Sequence, residues 1–425
     1  MGVYHIVGGK KLNGQLRIGG GKNAILPILA SVILNGGISV IHNCPKISDT
    51  YVSIEMLKAL GCGVNFEGDT LTVDSSKAST HEAPENLVRE MRSSFIFLGG
   101  ILAKFGKAKI SYPGGCELGA RPIDLHLMAL RKLGATITED HGFILCEANK
   151  LVGAEIHLDF PSVGATENVM LTAVFAEGAT VISNAAREPE IEDLQKFLNS
   201  MGAKVTGAGT SHVVIKGVKK LHDAEHSVMP DRIVAGTFLT AAAITGGKIR
   251  LTAIEPEHLR PITSKLKEAG CSVRFEKNSV YLEAPPVIRP ITILKTGPHP
   301  GFPTDMQAQL TALLTKANGV SMICETVFES RNRHIPELVR MGADITLSHS
   351  GSTSVIRGVE RLKGAVVESK DLRGGAALIL AGLAAEGSTT VRNSSHVERG
   401  YENIEKSLTD LGATITLVKD EDGVL

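Results

Sequence analysis

The chain has 425 residues, with 45 Lys and Arg against 45 Asp and Glu and no tryptophan. With 21% charged and 4% aromatic residues, its zero balance argues against a duplex nucleic-acid surface, and its scarcity of rings argues against base-stacking platforms. The length suits about two to four domains and a large core.

Residues 1–11 are polar and lack the apolar core of a signal peptide. The apolar run 25–34 is too short to span a bilayer and contains Pro27. A soluble, cytoplasmic protein with no membrane partner is therefore expected. The six cysteines, Cys44, Cys62, Cys116, Cys146, Cys271 and Cys324, form no C-x-x-C pair and no zinc spacing. No metal is expected, and free thiols suit a reducing compartment.

Gly19-Gly20-Gly21-Lys22-Asn23 has the look of a phosphate loop. It is not a Walker A sequence, because Asn23 stands where Ser or Thr must bind magnesium and Leu16 stands where the first glycine belongs. An anion cradle and a plain flexible turn both remain open.

One signal then recurs along the whole chain. A helix end is followed by Gly, a small residue and, one residue later, a β-branched strand start, at Gly61, Gly134, Gly202, Gly270, Gly342 and Gly412. Successive glycines lie 73, 68, 68, 72 and 70 residues apart, a steady period that chance does not explain. Each unit opens with an Ala- and Leu-rich helix, such as 171–176 or 378–385. A second glycine ends that helix, at Gly36, Gly106, Gly178, Gly246, Gly319 or Gly387. A short strand, a polar loop and an amphipathic helix follow, for example 191–201 with Leu194, Phe197, Leu198 and Met201 on one face. The unit is thus an α/β module of two helices and about four strands. Six such units suit two lobes of three better than a solenoid.

The polar loops collect the chemistry. They carry Lys46 and Asp49, then Cys116, Glu117, Arg121 and Asp124, then Arg187, Glu188 and Glu190. Further on come Glu325, Glu329, Arg331 and Arg333, and finally His396, Glu398, Arg399 and Glu402. Recurring arginines point to an anionic ligand, since the guanidinium fork matches phosphate and carboxylate. Solvated charge at helix starts is the plainer account of any single residue. Cys116 follows two glycines and precedes Arg121 by five residues, which makes it a candidate nucleophile or proton donor. An idle cysteine in a turn is the alternative. Asp305, in Phe302-Pro303-Thr304-Asp305-Met306-Gln307-Ala308-Gln309, starts a helix expected over 306–314. It, or Thr304, reads as an N-cap or, more sharply, Asp305 as a general base. No G-x-S-x-G, no H-E-x-x-H and no dinucleotide fingerprint occurs, so no cofactor is expected.

These segments together resemble the enolpyruvyl transferases, and among them the branch acting on UDP-N-acetylglucosamine. The resemblance runs through Lys22-Asn23-Ala24, Met91-Arg92-Ser93-Ser94, the Cys116 loop and Ser162-Val163-Gly164-Ala165-Thr166. It continues through Asn184-Ala185-Ala186-Arg187-Glu188-Pro189-Glu190, the Phe302 segment, Glu325-Thr326-Val327-Phe328-Glu329 and Arg399-Gly400-Tyr401-Glu402. The sister branch acting on shikimate 3-phosphate lacks the cysteine loop.

The resemblance implies an inside-out α/β barrel of two lobes, each three βαβαββ repeats. Residues 22–229 form one lobe and residues 1–21 plus 230–425 the other, with the active site in the cleft between them. It implies transfer of the enolpyruvyl group of phosphoenolpyruvate to the 3-hydroxyl of UDP-N-acetylglucosamine, through a tetrahedral ketal, at the opening of peptidoglycan precursor synthesis. Asp305 is then the base, Cys116 a lid residue and proton donor, and Lys22, Asn23, Arg121 and Arg399 ligands of phosphoenolpyruvate. The sugar nucleotide falls to Asn23, Arg92, Arg121, Pro122, Ile123, Asp124, Leu125, Ser162, Val163, Gly164, Asp305 and Val327. Asp49, Arg331 and Asp371 are secondary candidates. The partners are those two small molecules, with no nucleic acid. A monomer is favoured, although the sequence leaves the oligomeric state open. A shikimate-type transferase and a silent UDP-sugar-binding paralogue are the competing readings.

Overall fold

A computed structural model describes residues 2–112 and 123–419 of the chain. These residues fall into two compact units, one of residues 20–112 with 123–229, the other of residues 2–19 with 230–419. Each is mixed α/β.

In the first unit the helices Lys22–Ser31, Phe97–Phe105 and Val163–Ala173 lie in the core, the first two apolar over most of their surface and the third burying Thr166, Glu167, Asn168 and Thr172 as well. A helix without a polar face has to be covered on every side. Helices with one wet face, such as Ser48–Ala59, Asp124–Lys132 and Pro189–Ser200, border that core and give it their buried side. The second unit repeats the division. Arg232–Ile244, Gln307–Leu314 and Leu372–Ala384 are interior. Pro256–Glu268, Ile335–Arg340 and Ile404–Asp410 are half-exposed.

The strands form five four-stranded sheets and one three-stranded sheet among the described residues. In each four-stranded sheet three strands run antiparallel and a fourth joins one edge in parallel; in two of these sheets that fourth strand is remote in sequence. Asn13–Arg17 pairs this way with Lys248–Thr252, and Ala224–Ser227 with Ile38–His42. In the three-stranded sheet a single parallel bridge, Glu82 to Lys109, stands where the fourth strand would be. No strand ladder closes into a barrel among the described residues.

The recurring glycine signal is a helix C-cap in all six places. Gly61, Gly134, Gly202, Gly270, Gly342 and Gly412 have φ between +92° and +99°. The next residue's N–H reaches back five residues to a carbonyl, as from Cys62 to Leu57 at 3.0 Å and from Ala413 to Leu408 at 2.9 Å. This is the Schellman arrangement, which needs a left-handed residue and so favours glycine. The glycines expected to end the buried helices also have positive φ, from +62° at Gly36 to +145° at Gly319.

Candidate functional site

The expected site residues gather in two groups, one in each unit. In the 20–229 unit, Lys22 is the first residue of a buried helix and is 8% exposed. Its Nζ lies 2.5 Å from Oδ2 of Asp49, which sits in the first turn of Ser48–Ala59 and is 2% exposed. A buried ion pair is weak evidence for stability, because desolvation offsets the attraction, but it does hold its cation in one place. Asn23 follows, half-buried.

The glycine run ahead of Lys22 is not a loose turn. A Cβ on Gly20 would stand 1.9 Å from the carbonyl oxygen of Asn43. The Gly21 N–H donates to the Met229 carbonyl at 2.8 Å. The backbone there is pinned from two sides.

Ser162 caps the Val163–Ala173 helix, its Oγ accepting the Ala165 N–H at 3.3 Å. Val163 and Gly164 form the first turn, where helix N–H groups lack intrahelical acceptors and favour anions. His126 packs beside Gly164, and its Nδ1 meets Nδ2 of the buried Asn168 at 2.8 Å. Asn168 Oδ1 accepts the Gly99 N–H at 2.7 Å, so its amide is the donor toward His126 and the imidazole keeps its proton on Nε2. Burial, partly opposed by Asp124, pulls His126 down to about 4. Nearby, burial and the carboxylates of Glu190 and Glu188 push Glu167 well above the usual carboxyl range. Ile123 and Leu125 are half-buried and Asp124 exposed, around the start of Asp124–Lys132. Arg92 opens the turn Arg92–Ile96.

In the other unit Asp305 is the centre. It lies in a 3₁₀ turn, Thr304–Met306, ahead of the helix Gln307–Leu314. Its carboxylate caps neither element. Instead Oδ1 accepts from Nη2 of Arg331, and Oδ2 from Nη2 of Arg373 at 2.9 Å. Both arginine side chains are 3% exposed, against 24% for Asp305. Arg331 is fixed further by Nε donating to the Thr304 carbonyl at 3.1 Å, with its guanidinium 5.6 Å from the Phe328 ring centre. Arg373 lies 5.5 Å from the Tyr401 ring centre. Burial works against its charge, but Asp305, Tyr401 and Asp231 outweigh burial and push it above the ordinary guanidinium value. Among the described residues, Nε and Nη1 of Arg373 are buried and have no hydrogen-bond partner of good geometry. Two cations share the Asp305 carboxylate, and the remaining buried donors of Arg373 suit a second anion.

Glu325 shapes the neighbouring loop. It accepts from Thr304 Oγ1 at 3.0 Å and from the N–H groups of Val327 at 2.8 Å and Phe328 at 3.0 Å. Gln309 donates to the Asp305 carbonyl at 2.9 Å and to the Tyr401 hydroxyl at 3.2 Å. Asp371 caps Leu372–Ala384, with Oδ1 accepting from the N–H groups of Arg373 and Gly374. The buried His334 donates from Nδ1 to the Arg331 carbonyl at 3.2 Å, and burial, with Asp371 opposing, pulls it down to about 4. Arg399 is half-buried at the end of Ser395–Glu398.

Asp305 is therefore an ion-pair centre and not the helix cap that one sequence reading offered, and its helix begins at Gln307. Cys116, Arg121 and Pro122 lie outside the described residues. The other cysteines are free thiols, four buried and Cys324 half-buried. Burial pushes Cys62 up to about 11 and Cys146 and Cys271 up to about 12, which suppresses thiolate chemistry there. Arg373 and His334 were missed by the sequence reading. The available signal for Arg373 was one charge inside the apolar stretch of Leu372–Ala384. Among the described residues no cluster suited to a metal occurs, and no helix is long and apolar enough to cross a membrane.

Residues 6–408 match the family described as EPSP synthase (3-phosphoshikimate 1-carboxyvinyltransferase). The chain belongs to the enolpyruvyl transferase family. Within that family it is 52% identical, over 98% of its length and all of the relative's, to UDP-N-acetylglucosamine 1-carboxyvinyltransferase 2 of Caldanaerobacter subterraneus subsp. tengcongensis. It is 51% identical, over 98% of its length and 95% of the relative's, to UDP-N-acetylglucosamine 1-carboxyvinyltransferase 1 of Symbiobacterium thermophilum. Among solved structures, the enolpyruvyl transferase NikO from Streptomyces tendae superposes with a TM-score of 0.88 at 26% identity, over 98% of both chains. EPSP synthase from Acinetobacter baumannii shares the fold, with a TM-score of 0.75 at 19% identity, over 99% of this chain and all of that one.

Proposed function

We propose that this enolpyruvyl transferase joins phosphoenolpyruvate to the 3-hydroxyl of UDP-N-acetylglucosamine and releases phosphate, opening peptidoglycan precursor synthesis. The observation that carries the reading is end-to-end identity near 50% with relatives bearing that activity in their names. Identity spread over 98% of the chain favours a shared substrate over a shared scaffold alone.

The residues divide the work as follows. Asp305 removes the proton from the sugar hydroxyl. The oxygen adds to C2 of the enol while the Cys116 thiol delivers a proton to C3, which gives a tetrahedral ketal. Loss of a C3 proton then expels phosphate and restores the double bond. Lys22, Arg121 and Arg399 neutralise the phosphate, and the neutral Asn23 amide can donate a hydrogen bond to it. The remaining buried donors of Arg373 support a role for it, beside Arg331, in holding the carboxylate. Preorganised cations in a site closed to water stabilise charge far more than the same contacts in solvent. The first-turn N–H groups at Val163 and Gly164, behind the Ser162 cap, suit the diphosphate. Arg92, Pro122, Ile123, Asp124, Leu125 and Val327 complete the sugar-nucleotide contacts, and Asp49 and Asp371 orient the cations.

The fold completes the proposal. The six like helix caps and the recurring strand order support two lobes of three βαβαββ repeats, helices inside and sheets outside. The lobes comprise residues 22–229 and residues 1–21 plus 230–425, with the reaction in their cleft. The enzyme works in the cytoplasm, as a monomer. A coupled phosphate-release assay tests the function. Release is expected with phosphoenolpyruvate and UDP-N-acetylglucosamine together and not with either alone. Release with shikimate 3-phosphate as acceptor would instead favour the sister activity, and tight UDP-N-acetylglucosamine binding without turnover would favour a silent sugar-nucleotide binder.

A further inference from the structure

A side chain with no place in that reaction holds the backbone on which Lys22 depends. Asp193, in Pro189–Ser200, is 3% exposed. Its Oδ2 accepts the Met229 N–H at 3.1 Å, and its Oδ1 faces Nε2 of His226 at 3.1 Å. The His226 ring rests 5.4 Å from that of Phe197, one turn along the same helix. The Met229 carbonyl accepts the Gly21 N–H at 2.8 Å, and Gly21 is the N-cap of the helix that Lys22 begins. On the other side, Asn43 Nδ2 donates to the Val228 carbonyl at 2.8 Å, and the Val228 N–H donates to the His42 carbonyl at 3.0 Å.

A triplet of glycines has no side chains with which to fix its own course, so bonds from outside must do it. The Met229 carbonyl supplies one to Gly21, and Asp193 fixes residue 229. Without its carboxylate the buried Met229 N–H has no acceptor, which is costly enough to move the backbone. Any shift there passes through one hydrogen bond to Gly21 and from Gly21 to Lys22.

We propose that Asp193, its carboxylate held by His226, is a positioning residue for Lys22 and so for the phosphate end of phosphoenolpyruvate. The inference rests on the role proposed above for Lys22. A displacement of about 1 Å far from the chemistry can cost on the order of 100-fold in rate.

Five variants of the full chain test it: Asp193→Ala, Asp193→Asn, His226→Ala, His226→Gln and, as a control, Asn199→Ala. Asn199 lies on the same helix, but its side chain bonds the backbone of Val205 at 2.8 Å in both directions. Asp193→Ala is expected to lower kcat/KM for phosphoenolpyruvate by about 10- to 100-fold, with a smaller loss for UDP-N-acetylglucosamine, which Asn23 of the same helix also contacts. Asp193→Asn, which retains an acceptor for Met229, is expected to fall between it and the parent. His226→Gln, which keeps a donor near Nε2, should stay close to the parent, and His226→Ala should not. Asn199→Ala should lower the melting temperature without a selective effect on phosphoenolpyruvate. Equal loss for both substrates in Asp193→Ala, or the same kinetics in Asp193→Ala and Asn199→Ala, would overturn the inference. A parent that turns over neither substrate would instead defeat the Lys22 reading. The relay is then judged by acylation of the Lys22 amine followed by peptide mass, since Asp193→Ala should expose it several-fold and Asn199→Ala should not. Unchanged labelling would overturn the relay.

Discussion

Replacing Asp305 separates its proposed chemistry from its place in the packing. Two guanidinium groups, each 3% exposed, converge on this one carboxylate. Asp305→Ala leaves both charges buried without it. Breaking a fully buried pair costs about 3–5 kcal/mol. Since Asp305 is itself 24% exposed, solvent screening reduces the expected loss to about 2–4 kcal/mol. Asp305→Asn keeps an oxygen acceptor for one arginine but loses the charge and turns an amide donor toward the other, so a loss smaller than that of Asp305→Ala is expected. Catalysis should respond differently. Neither variant retains a base, so kcat should fall by about 100- to 10,000-fold in both. Urea unfolding and steady-state kinetics on the same samples provide the two readouts. Unequal stability with equally crippled kcat is the expected pattern. If Asp305 were only a helix cap, Asn would replace it almost without loss, because the two cap about equally well. An Asp305→Asn enzyme with near-parent kcat and stability would therefore refute the reasoning.

The remaining predictions are simpler. An epoxide phosphonate should alkylate Cys116 in preference to Cys62, Cys146 and Cys271, whose thiolates burial suppresses; intact-mass and peptide mapping that place the adduct on one of those three would contradict this. His334 binds its proton less readily folded, at about 4, than unfolded, near 6.5. Its contribution to stability is full above the unfolded value and is lost as pH falls toward 4, by at most about 3 kcal/mol. Glu167 acts in the opposite sense, so the test is the difference between parent and His334→Asn in urea midpoints across that window; parallel curves would count against it. Gly342→Ala meets no atom within 4 Å and has only its φ of +92° to strain, so it should cost about 1–2 kcal/mol and leave kcat alone. Gly20→Ala has no φ penalty but runs into the Asn43 carbonyl, and should cost activity through Lys22.

The sequence was most legible where local chemistry decides the structure. A glycine that must take positive φ after a helix announces itself, and all six repeat glycines end helices in the same way. The Lys22 and Asp305 segments stood out as candidates because their residue order is distinctive. Partnerships across long separations were not. Nothing near Asn13–Arg17 announces that it pairs with Lys248–Thr252, since strand patterning specifies a face and not a neighbour. Arg373 was passed over for a related reason. Its meaning comes from Asp305, 68 residues earlier in the chain, and neither local sequence contains the other. Asp305 itself looked like a cap because Asp at a helix start usually is one. Two buried arginines overrode that preference.

The most direct test is phosphate release by the purified full chain with each candidate acceptor. The account predicts stoichiometric release when phosphoenolpyruvate and UDP-N-acetylglucosamine are both present, with the enolpyruvyl ether found on the sugar 3-oxygen. Release with phosphoenolpyruvate alone, or with shikimate 3-phosphate in place of the sugar nucleotide, would contradict it.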